Sequence, residues 1–160
     1  MFNIGDKVVY PAQGAGIIEA IEEKNFSGMI QKYFIIRITS NNLTVMLPES
    51  TIDQSDLRLI NDESALKDVL LILNDSASCI EKCSSNKELY ELFKTKLKSG
   101  SMKKSAEVFR DLMHIHDIKS LNNTEKMLLD RARRLLAGEI ALIKDITNKM
   151  ADQYIKEIIH

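Results

Sequence analysis

The chain has 160 residues, of which 44% are hydrophobic and 28% are charged, and its formal net charge at pH 7 is −1. This composition is typical of a folded globular protein and excludes a largely disordered chain. A net charge close to zero provides no overall field toward nucleic acid, so any such binding must use a local patch.

The first sixty residues alternate apolar and polar side chains with a period of two, which is typical of β-strands. The predicted strands are KVVY (7–10), GIIEAIEE (16–23), QKYFIIRIT (31–39), LTVMLP (43–48) and LRLI (57–60). The segments NFSG and SNN are predicted turns between them. Strands this short, at such close spacing, predict a small antiparallel barrel or curled sheet.

The stretch Gly14-Ala15-Gly16 lies between the first two predicted strands and raises the question of a phosphate-binding loop. A dinucleotide-binding loop has the pattern G-x-G-x-x-G and opens a helix after a strand. Here the residues that follow, IIEAIEE, alternate as a strand, and neither a third glycine nor a Lys-Ser or Lys-Thr pair is present. We therefore predict that these glycines permit a sharp bend between two strands.

From Asp62 onward the hydrophobic period becomes helical. The predicted helices are DESALKDVLLILN, NKELYELFKTKLKSG (ending at Gly100), SMKKSAEVFRDLMHIHDI, TEKMLLDRARRLLAGEIALI and a final amphipathic stretch around residues 150–158. Asp62, Ser101 and Asn122 are the predicted N-caps. The sequence therefore predicts an α+β protein, with a small antiparallel β domain at 1–60 and an all-α domain of about five helices at 61–160.

The sequence offers no clear catalytic or metal-binding constellation. His114 and His116 are two residues apart, so on a helix they point about 200° from each other and cannot share one metal. Cys79 and Cys83 lie one helical turn apart, but no further His or Cys completes a ligand set, and two reduced thiols are typical of a cytosolic protein. An unrecognised enzyme using Cys79 or the His114 region is the alternative.

We accordingly predict that the protein is not an enzyme. We expect no catalytic residue, no metal, no cofactor and no small-molecule substrate. Asp6 and Lys7 interrupt the first apolar stretch, so no secretory signal is predicted. No apolar run approaches the ~20 residues that span a bilayer, so we expect a cytoplasmic protein without a membrane partner.

Five lysines and no acidic residue lie between positions 94 and 104. For Lys94, Lys96 and Lys98, a solvated helix face is the simplest interpretation. Lys103 and Lys104 differ, because they occupy the first turn of a predicted helix, where the helix dipole favours acids. Lys126 occupies the same place in the next helix. Because a helix N-terminus with an added lysine can bind phosphate, two such ends lying together could bind a nucleic-acid backbone.

Three arginines follow Lys126 on the same predicted helix, at positions 131, 133 and 134. They could extend a basic surface for nucleic acid. Surface ion pairing with Asp130 or Glu139 is the alternative.

The two halves together resemble one protein family. The segments IGDKVVYPAQGAGIIEAIEE, QKYF and LTVMLP are similar to the N-terminal domain of the CarD (CdnL) bacterial transcription regulators. The segments LKSGSMKKSAEVFRDL and LNNTEKMLLDRARRLLAGEIAL are similar to the helical domain of that family. The resemblance covers roughly residues 1–143 in one register. It implies a Tudor-like β domain, similar to the polymerase-interacting domain of transcription-repair coupling factor.

The resemblance implies a regulator with two partners. The β domain is expected to bind the β subunit of RNA polymerase by edge-strand pairing. The helical domain is expected to contact promoter DNA at the upstream edge of the transcription bubble and to modulate open-complex stability. Carried over by position, the polymerase-binding residues are Lys24, Thr44, Val45, Met46, Leu47 and Pro48. Together with the lysines described above, the expected DNA-binding residues are Asn86, Lys94, Lys103, Lys104 and Lys126.

The sequence also departs from the family pattern. Many members carry a tryptophan at the position of Asn86, where it wedges into the minor groove, and Asn86 has too little apolar surface for that role. Glu88 and Glu91 stand where relatives carry basic DNA contacts, and some relatives carry an arginine at Met46. These departures leave an alternative open, a divergent paralogue that binds RNA polymerase as an adaptor or competitor without wedging into DNA.

Overall fold

A computed structural model of the chain describes residues 2–11, 13–75 and 83–158. Within these ranges, five strands come first and five helices follow. They are β1 (Lys7–Tyr10), β2 (Gly14–Phe26), β3 (Met29–Ile38), β4 (Thr44–Pro48), β5 (Arg58–Leu59), α1 (Glu63–Leu73), α2 (Asn86–Lys98), α3 (Met102–Ile118), α4 (Asn123–Lys144) and α5 (Asn148–Ile158). A 3-10 helix at Glu49–Gln54 was not predicted. The predicted α+β class is confirmed.

The five strands form one antiparallel sheet in the order β4-β3-β2-β1-β5. β4 and β5 therefore lie at opposite edges, and in the described part of the chain they do not pair with each other. Of the two predicted forms, a barrel or a curled sheet, the structure shows an open sheet, so the barrel is wrong in this detail. Because the sheet is open, it keeps two strand edges with backbone groups available for pairing.

The structure confirms that Gly14-Ala15-Gly16 opens a strand rather than a helix. Gly14 has a φ of +107°, which a residue with a side chain rarely adopts. A Cβ atom at Gly16 would lie 2.6 Å from the carbonyl oxygen of Arg37 on β3. One glycine therefore permits the turn from β1, and the other permits the close approach of two strands.

The predicted N-caps are also confirmed. Asp62, Ser101 and Asn122 each accept a hydrogen bond from the backbone N–H three residues later, at 3.0, 3.3 and 2.8 Å. Each side chain satisfies one N–H group that would otherwise have no partner at the start of a helix. Short polar side chains in the sequence thus determine where α1, α3 and α4 begin.

Two apolar cores stabilise the fold, and a small third cluster joins them. One face of the sheet is covered by Val8, Ile18, Phe34, Ile36, Ile38, Leu47 and Leu57. The helices enclose a larger core whose fully buried members include Phe93, Leu97, Leu112, Leu136 and Ile140. Val9 and Ala15, on the other face of the sheet, pack against Leu142 of α4. The sheet and the helices are therefore in direct apolar contact.

A buried ion pair also joins the sheet to the helices. The Arg58 guanidinium on β5 donates to both carboxylate oxygens of Glu139 on α4, from Nη2 at 2.6 Å and from Nη1 at 2.9 Å. Asn61 adds two further hydrogen bonds to Glu139, from its backbone N–H and its side-chain amide. Arg58 also donates to the carbonyl oxygen of Gly100, before α3. Glu139 therefore pairs with Arg58 and not with a neighbouring arginine of its own helix.

Candidate functional site

The register of β4 determines which of its backbone groups bond β3. The N–H of Ile38 donates to the carbonyl oxygen of Leu43 at 2.8 Å. In an antiparallel ladder the hydrogen-bonded positions alternate, so the next bonded positions on β4 are Val45 and Leu47. The side chains of these two residues face the sheet core, and Leu47 is only 8% exposed.

The positions between them point outward. The N–H and C=O groups of Thr44 and Met46 are directed away from β3, and no other strand among the described residues pairs with that edge. Pro48 has no N–H and its carbonyl oxygen accepts from the Thr51 hydroxyl, so the available edge ends there. The edge of β4 thus presents two donors and two acceptors.

Lys24 lies on the same face of the sheet as the outward side chain of Met46. Met46 pairs with Ile35 of β3, and Lys24 pairs with Gln31 of β3. Because Gln31 and Ile35 are four residues apart on one strand, their side chains and those of their partners lie on the same face of the sheet. Met46 is 41% exposed and Lys24 is half-buried. The structure therefore brings Lys24, Thr44 and Met46 to one surface, whereas Val45 and Leu47 contribute to the core beneath it.

The apolar tip of the β2–β3 hairpin was missed by sequence analysis. The strands continue to a two-residue turn at Ser27 and Gly28, whose φ angles of +53° and +84° are typical of a type I′ turn. Phe26, Met29 and Ile30 beside the turn are 56%, 76% and 69% exposed. The Ser-Gly pair between two alternating runs was the available signal. The tip is an exposed apolar surface on the same hairpin as Lys24.

At the helical end, Asn86 and Lys126 belong to neighbouring helix N-termini. Asn86 is the first residue of α2, one turn before Tyr90, and is exposed. The Tyr90 hydroxyl oxygen accepts a hydrogen bond at 2.9 Å from the side-chain amide of Asn122, the N-cap of α4. Lys126 lies in the first turn of α4, exposed and without a carboxylate partner in the described ranges. The structure therefore brings these two predicted residues to one end of the helical domain.

The lysines of α3 lie at the other end. Met102, the first residue of α3, lines a small cavity with Glu139, thirteen residues after Lys126 on α4. At about 1.5 Å per residue, Lys126 is roughly 20 Å from this point along the helix axis. The condition that the two lysine-bearing helix ends lie together is therefore not met for Lys103 and Lys104.

Two of the predicted lysines also have acidic partners. The Lys103 ammonium lies 3.3 Å from an Asp68 carboxylate oxygen, and the Lys94 ammonium lies 3.6 Å from one of Glu91. Exposed pairs of this kind contribute little to stability but reduce the local positive charge. Lys104 is exposed and has no ion pair with any residue that the structure describes.

Glu88 does not separate Asn86 from the start of α4. A helix turns about 100° per residue, so Glu88 lies about 200° around α2 from both Asn86 and Tyr90. Its carboxylate accepts hydrogen bonds from the Ser84 hydroxyl at 2.6 Å and the Ser84 backbone N–H at 3.1 Å. These bonds, the hydroxyl first, lower the pKa of Glu88 from its ordinary value. The carboxylate therefore fixes the start of α2 on the side away from α4.

Ion pairing of the α4 arginines with Asp130 is confirmed for two of the three. Arg133 donates to Asp130 at 2.6 Å and to Asp152 at 2.8 Å, and the hydrogen bond to Asp130 is the main cause of its raised pKa. Arg134 lies 3.1 Å from the other oxygen of Asp130. Arg131 makes no ion pair within the described part of the chain.

Features outside these surfaces give little further indication of chemistry. Cys79 lies outside the described residues, and Cys83 is half-buried. Among the residues described, no group of three or more His, Cys, Asp or Glu side chains could hold a metal ion. No helix in the described ranges is long and apolar enough to cross a membrane.

Comparisons with known proteins give a consistent result over both halves of the chain. Residues 2–60 match the family described as the CarD-like/TRCF RID domain, and residues 68–156 match the CarD C-terminal domain. The chain is 43% identical over 154 residues to a Bacillus subtilis protein described as "Putative transcription factor YdeB", which covers 96% of this chain and 99% of that protein. The solution NMR structure of the 72-residue N-terminal domain of Myxococcus xanthus CarD also matches, with 30% sequence identity and a TM-score of 0.32. The match covers 37% of this chain and 79% of the CarD domain.

Proposed function

The chain belongs to the CarD family of transcription regulators, and on that premise we propose that it binds RNA polymerase through the edge of β4 and promoter DNA through its helical domain. In this proposal, residues 1–60 are the polymerase-interacting domain and residues 61–160 face DNA. The polymerase partner is the β subunit. The result of both contacts is a change in the stability of the open promoter complex.

The observation that carries the polymerase contact is the edge of β4, with which no strand in the described ranges pairs. Thr44 and Met46 offer the backbone groups that a partner strand needs, and Pro48 limits the contact to a short segment. Main-chain hydrogen bonds of this kind provide affinity, while side chains next to the edge provide specificity. Met46 and Lys24 on the adjoining face are suited to that second role.

Hydrogen–deuterium exchange at single-residue resolution tests this contact. On addition of RNA polymerase to the full chain, we expect the amides of Thr44 and Met46 to exchange at least about tenfold more slowly, because strand pairing protects them. Leu59 is a matched control: the Ile60 N–H bonds the Lys7 carbonyl, so the Leu59 amide points out from the opposite edge of the sheet. Protection of another surface with no change on β4 would contradict the proposal.

For the DNA contact, we propose the end of the helical domain where α2 and α4 begin. Asn86 can hydrogen-bond to a base or sugar there, and Lys126, which has no carboxylate partner among the described residues, can contact a phosphate beside the N-terminus of α4. Such a contact is directed to the DNA backbone and is weakened by salt. Lys94, Lys103 and Lys104 would contribute more diffusely, by their charge.

Open-complex lifetime measured with Lys126→Glu tests the DNA contact. We expect a shorter lifetime than for the unaltered chain, together with a weaker dependence on salt. Lys67→Glu is the matched control, since it makes the same charge change on an exposed lysine of α1 that is not part of the proposed DNA contact. Equal lifetimes for the unaltered chain and Lys126→Glu would contradict the proposed DNA contact.

A second candidate function is an adaptor or competitor that binds RNA polymerase without engaging DNA. The acidic partners of Lys94 and Lys103, and the absence of an apolar side chain at Asn86, favour it. The same lifetime experiment distinguishes the two functions. An adaptor would retain the β4 contact in the exchange experiment and would be insensitive to Lys126→Glu.

A further inference from the structure

A polar cleft of about 120 Å³ lies where α4 crosses the start of β2. Glycines form part of its floor: a Cβ atom on Gly138 would lie 3.4 Å from the Ala15 side chain, and one on Gly14 would lie 3.6 Å from Leu135. Its rim carries Gln13, Ser40 and Asn41 from two loops of the sheet, and Arg131 and Arg134 from α4. The Gly-Ala-Gly stretch thus contributes to a concave surface, although no helix begins after it.

The charges around this cleft do not cancel. Asp130 pairs with both Arg133 and Arg134, and Asp152 pairs with Arg133. In the described part of the chain, this stretch of α4 therefore has three arginines for two carboxylate partners, which leaves one positive charge without a partner. The remaining cation is Arg131, which lines the cleft and makes no ion pair with the described residues.

The polar groups on the sheet side are also available. Neither the Ser40 hydroxyl nor the Gln13 side-chain amide makes a hydrogen bond within the part of the chain that the structure describes. Each can donate to an oxygen atom of a ligand that binds Arg131. The planar guanidinium fork matches the oxygens of phosphate, and hydrogen bonds to an ionised acceptor are stronger than neutral ones.

The size of the cleft limits the ligand. A volume of about 120 Å³ is several times the ~30 Å³ that one water occupies in the liquid. It is well below the roughly 300–1,000 Å³ typical of sites that enclose a whole cofactor or drug-sized molecule. A single tetrahedral oxyanion suits this space.

We propose that this cleft binds a phosphate group, with Arg131 as the principal cation and Ser40 and Gln13 as neutral donors. Arg131 lies within about two turns of Lys126 along α4, and the site is separate from the β4 edge. The phosphate group belongs either to free inorganic phosphate or to a nucleic-acid phosphodiester. Both present the same oxygens to Arg131.

Amide chemical shifts of the full chain, recorded during titration with sodium phosphate against sodium chloride at equal ionic strength, test the proposal. We expect saturable shifts at Gly14, Ser40 and Asn41 with phosphate only. Arg131→Gln should weaken this binding at least about tenfold, since one charged hydrogen-bonding partner is lost. Lys67→Gln, which removes an equal charge from the exposed side of α1, should leave it unchanged.

A second titration, with a 20-base-pair DNA duplex that lacks terminal phosphates, distinguishes the sources. Shifts of the same amides with the duplex, reduced by Arg131→Gln, support a phosphodiester ligand. Shifts with inorganic phosphate alone support a free phosphate. Shifts that do not saturate with either probe, or that persist in Arg131→Gln, would overturn the proposal, whatever the outcome of the polymerase experiments.

Discussion

Removal of the ion pair between Arg58 and Glu139 should lower the free energy of unfolding by an amount that follows from the burial of Glu139. We propose the substitution Arg58→Met, which keeps a long apolar side chain but removes the guanidinium. Of its partners among the described residues, Glu139 would then retain the two hydrogen bonds from Asn61. Glu139 is 2% exposed, so water cannot replace the lost partner.

The cost follows from this burial. Breaking a buried ion pair by removing one partner typically costs about 3–5 kcal/mol. The Arg58 side chain is 28% exposed, so solvent screens part of the interaction and we expect a loss near the lower limit, about 3 kcal/mol. At about 2–4 °C per kcal/mol for a chain of this size, the midpoint of thermal unfolding should fall by roughly 6–12 °C.

The chain offers a matched control in a second Arg–Glu pair. Arg37 and Glu19 are also joined at 2.6 Å, but their side chains are 43% and 42% exposed. Arg37→Met should therefore cost less than about 1 kcal/mol. Urea unfolding followed by far-UV circular dichroism compares the two variants. If Arg58→Met costs no more than Arg37→Met, burial does not give the Arg58–Glu139 pair its importance and the reasoning is wrong.

Three further predictions concern single positions. Gly16→Ala should lower the free energy of unfolding in urea by about 1–3 kcal/mol, because the added Cβ would lie 2.6 Å from a backbone carbonyl oxygen. Gly138→Ala is the control: its Cβ would lie at an ordinary contact distance, so its free energy of unfolding should be within about 1 kcal/mol of that of the unaltered chain. Asn86→Trp should lengthen open-complex lifetime by restoring an apolar wedge, since Glu88 lies on another side of α2, and an unchanged lifetime would argue against a DNA contact there. The pKa of the Glu88 carboxyl, measured by NMR titration, should lie below its ordinary value of 4.5. Because the folded pKa is depressed, the contribution of Glu88 to the stability of the start of α2 is present above the unfolded pKa and is lost as pH falls through the folded pKa. A titration midpoint at or above 4.5 would contradict the hydrogen bonds to its carboxylate.

Much of the fold could be predicted because it depends on local signals. Alternation with period two identified the strands, and short polar side chains such as Ser101 identified the helix starts. The 3-10 helix at Glu49–Gln54 has no buried residue and no side-chain cap, so it leaves no such signal. The choice between a barrel and a curled sheet could not be made from the sequence, because strand spacing along the chain does not determine whether the two edge strands of a sheet pair.

The candidate site was less predictable because it depends on contacts between distant residues. The sequence placed Lys103 and Lys126 in equivalent first turns, but the antiparallel packing of α3 and α4 puts them at opposite ends of the domain. The pairing of Arg58 with Glu139 joins positions 81 residues apart and has no periodic signature. The outward direction of the Met46 amide follows from the strand register, which a single sequence does not specify.

The affinity of the full chain for RNA polymerase, measured for Met46→Pro, tests the central claim most directly. Proline removes the one N–H of Met46, which points out from the sheet, and leaves the hydrogen bonds between β4 and β3 intact. Met46→Ala controls for the loss of the side chain, and Leu59→Pro places the same change on the outward amide of the opposite edge.

We expect Met46→Pro to bind RNA polymerase at least about tenfold more weakly, through a lost main-chain hydrogen bond and the bulk of the ring at the paired edge. Met46→Ala should lose less, and Leu59→Pro should bind like the unaltered chain. Undiminished binding by Met46→Pro, with the sheet still folded by circular dichroism, would contradict recognition of RNA polymerase through the edge of β4.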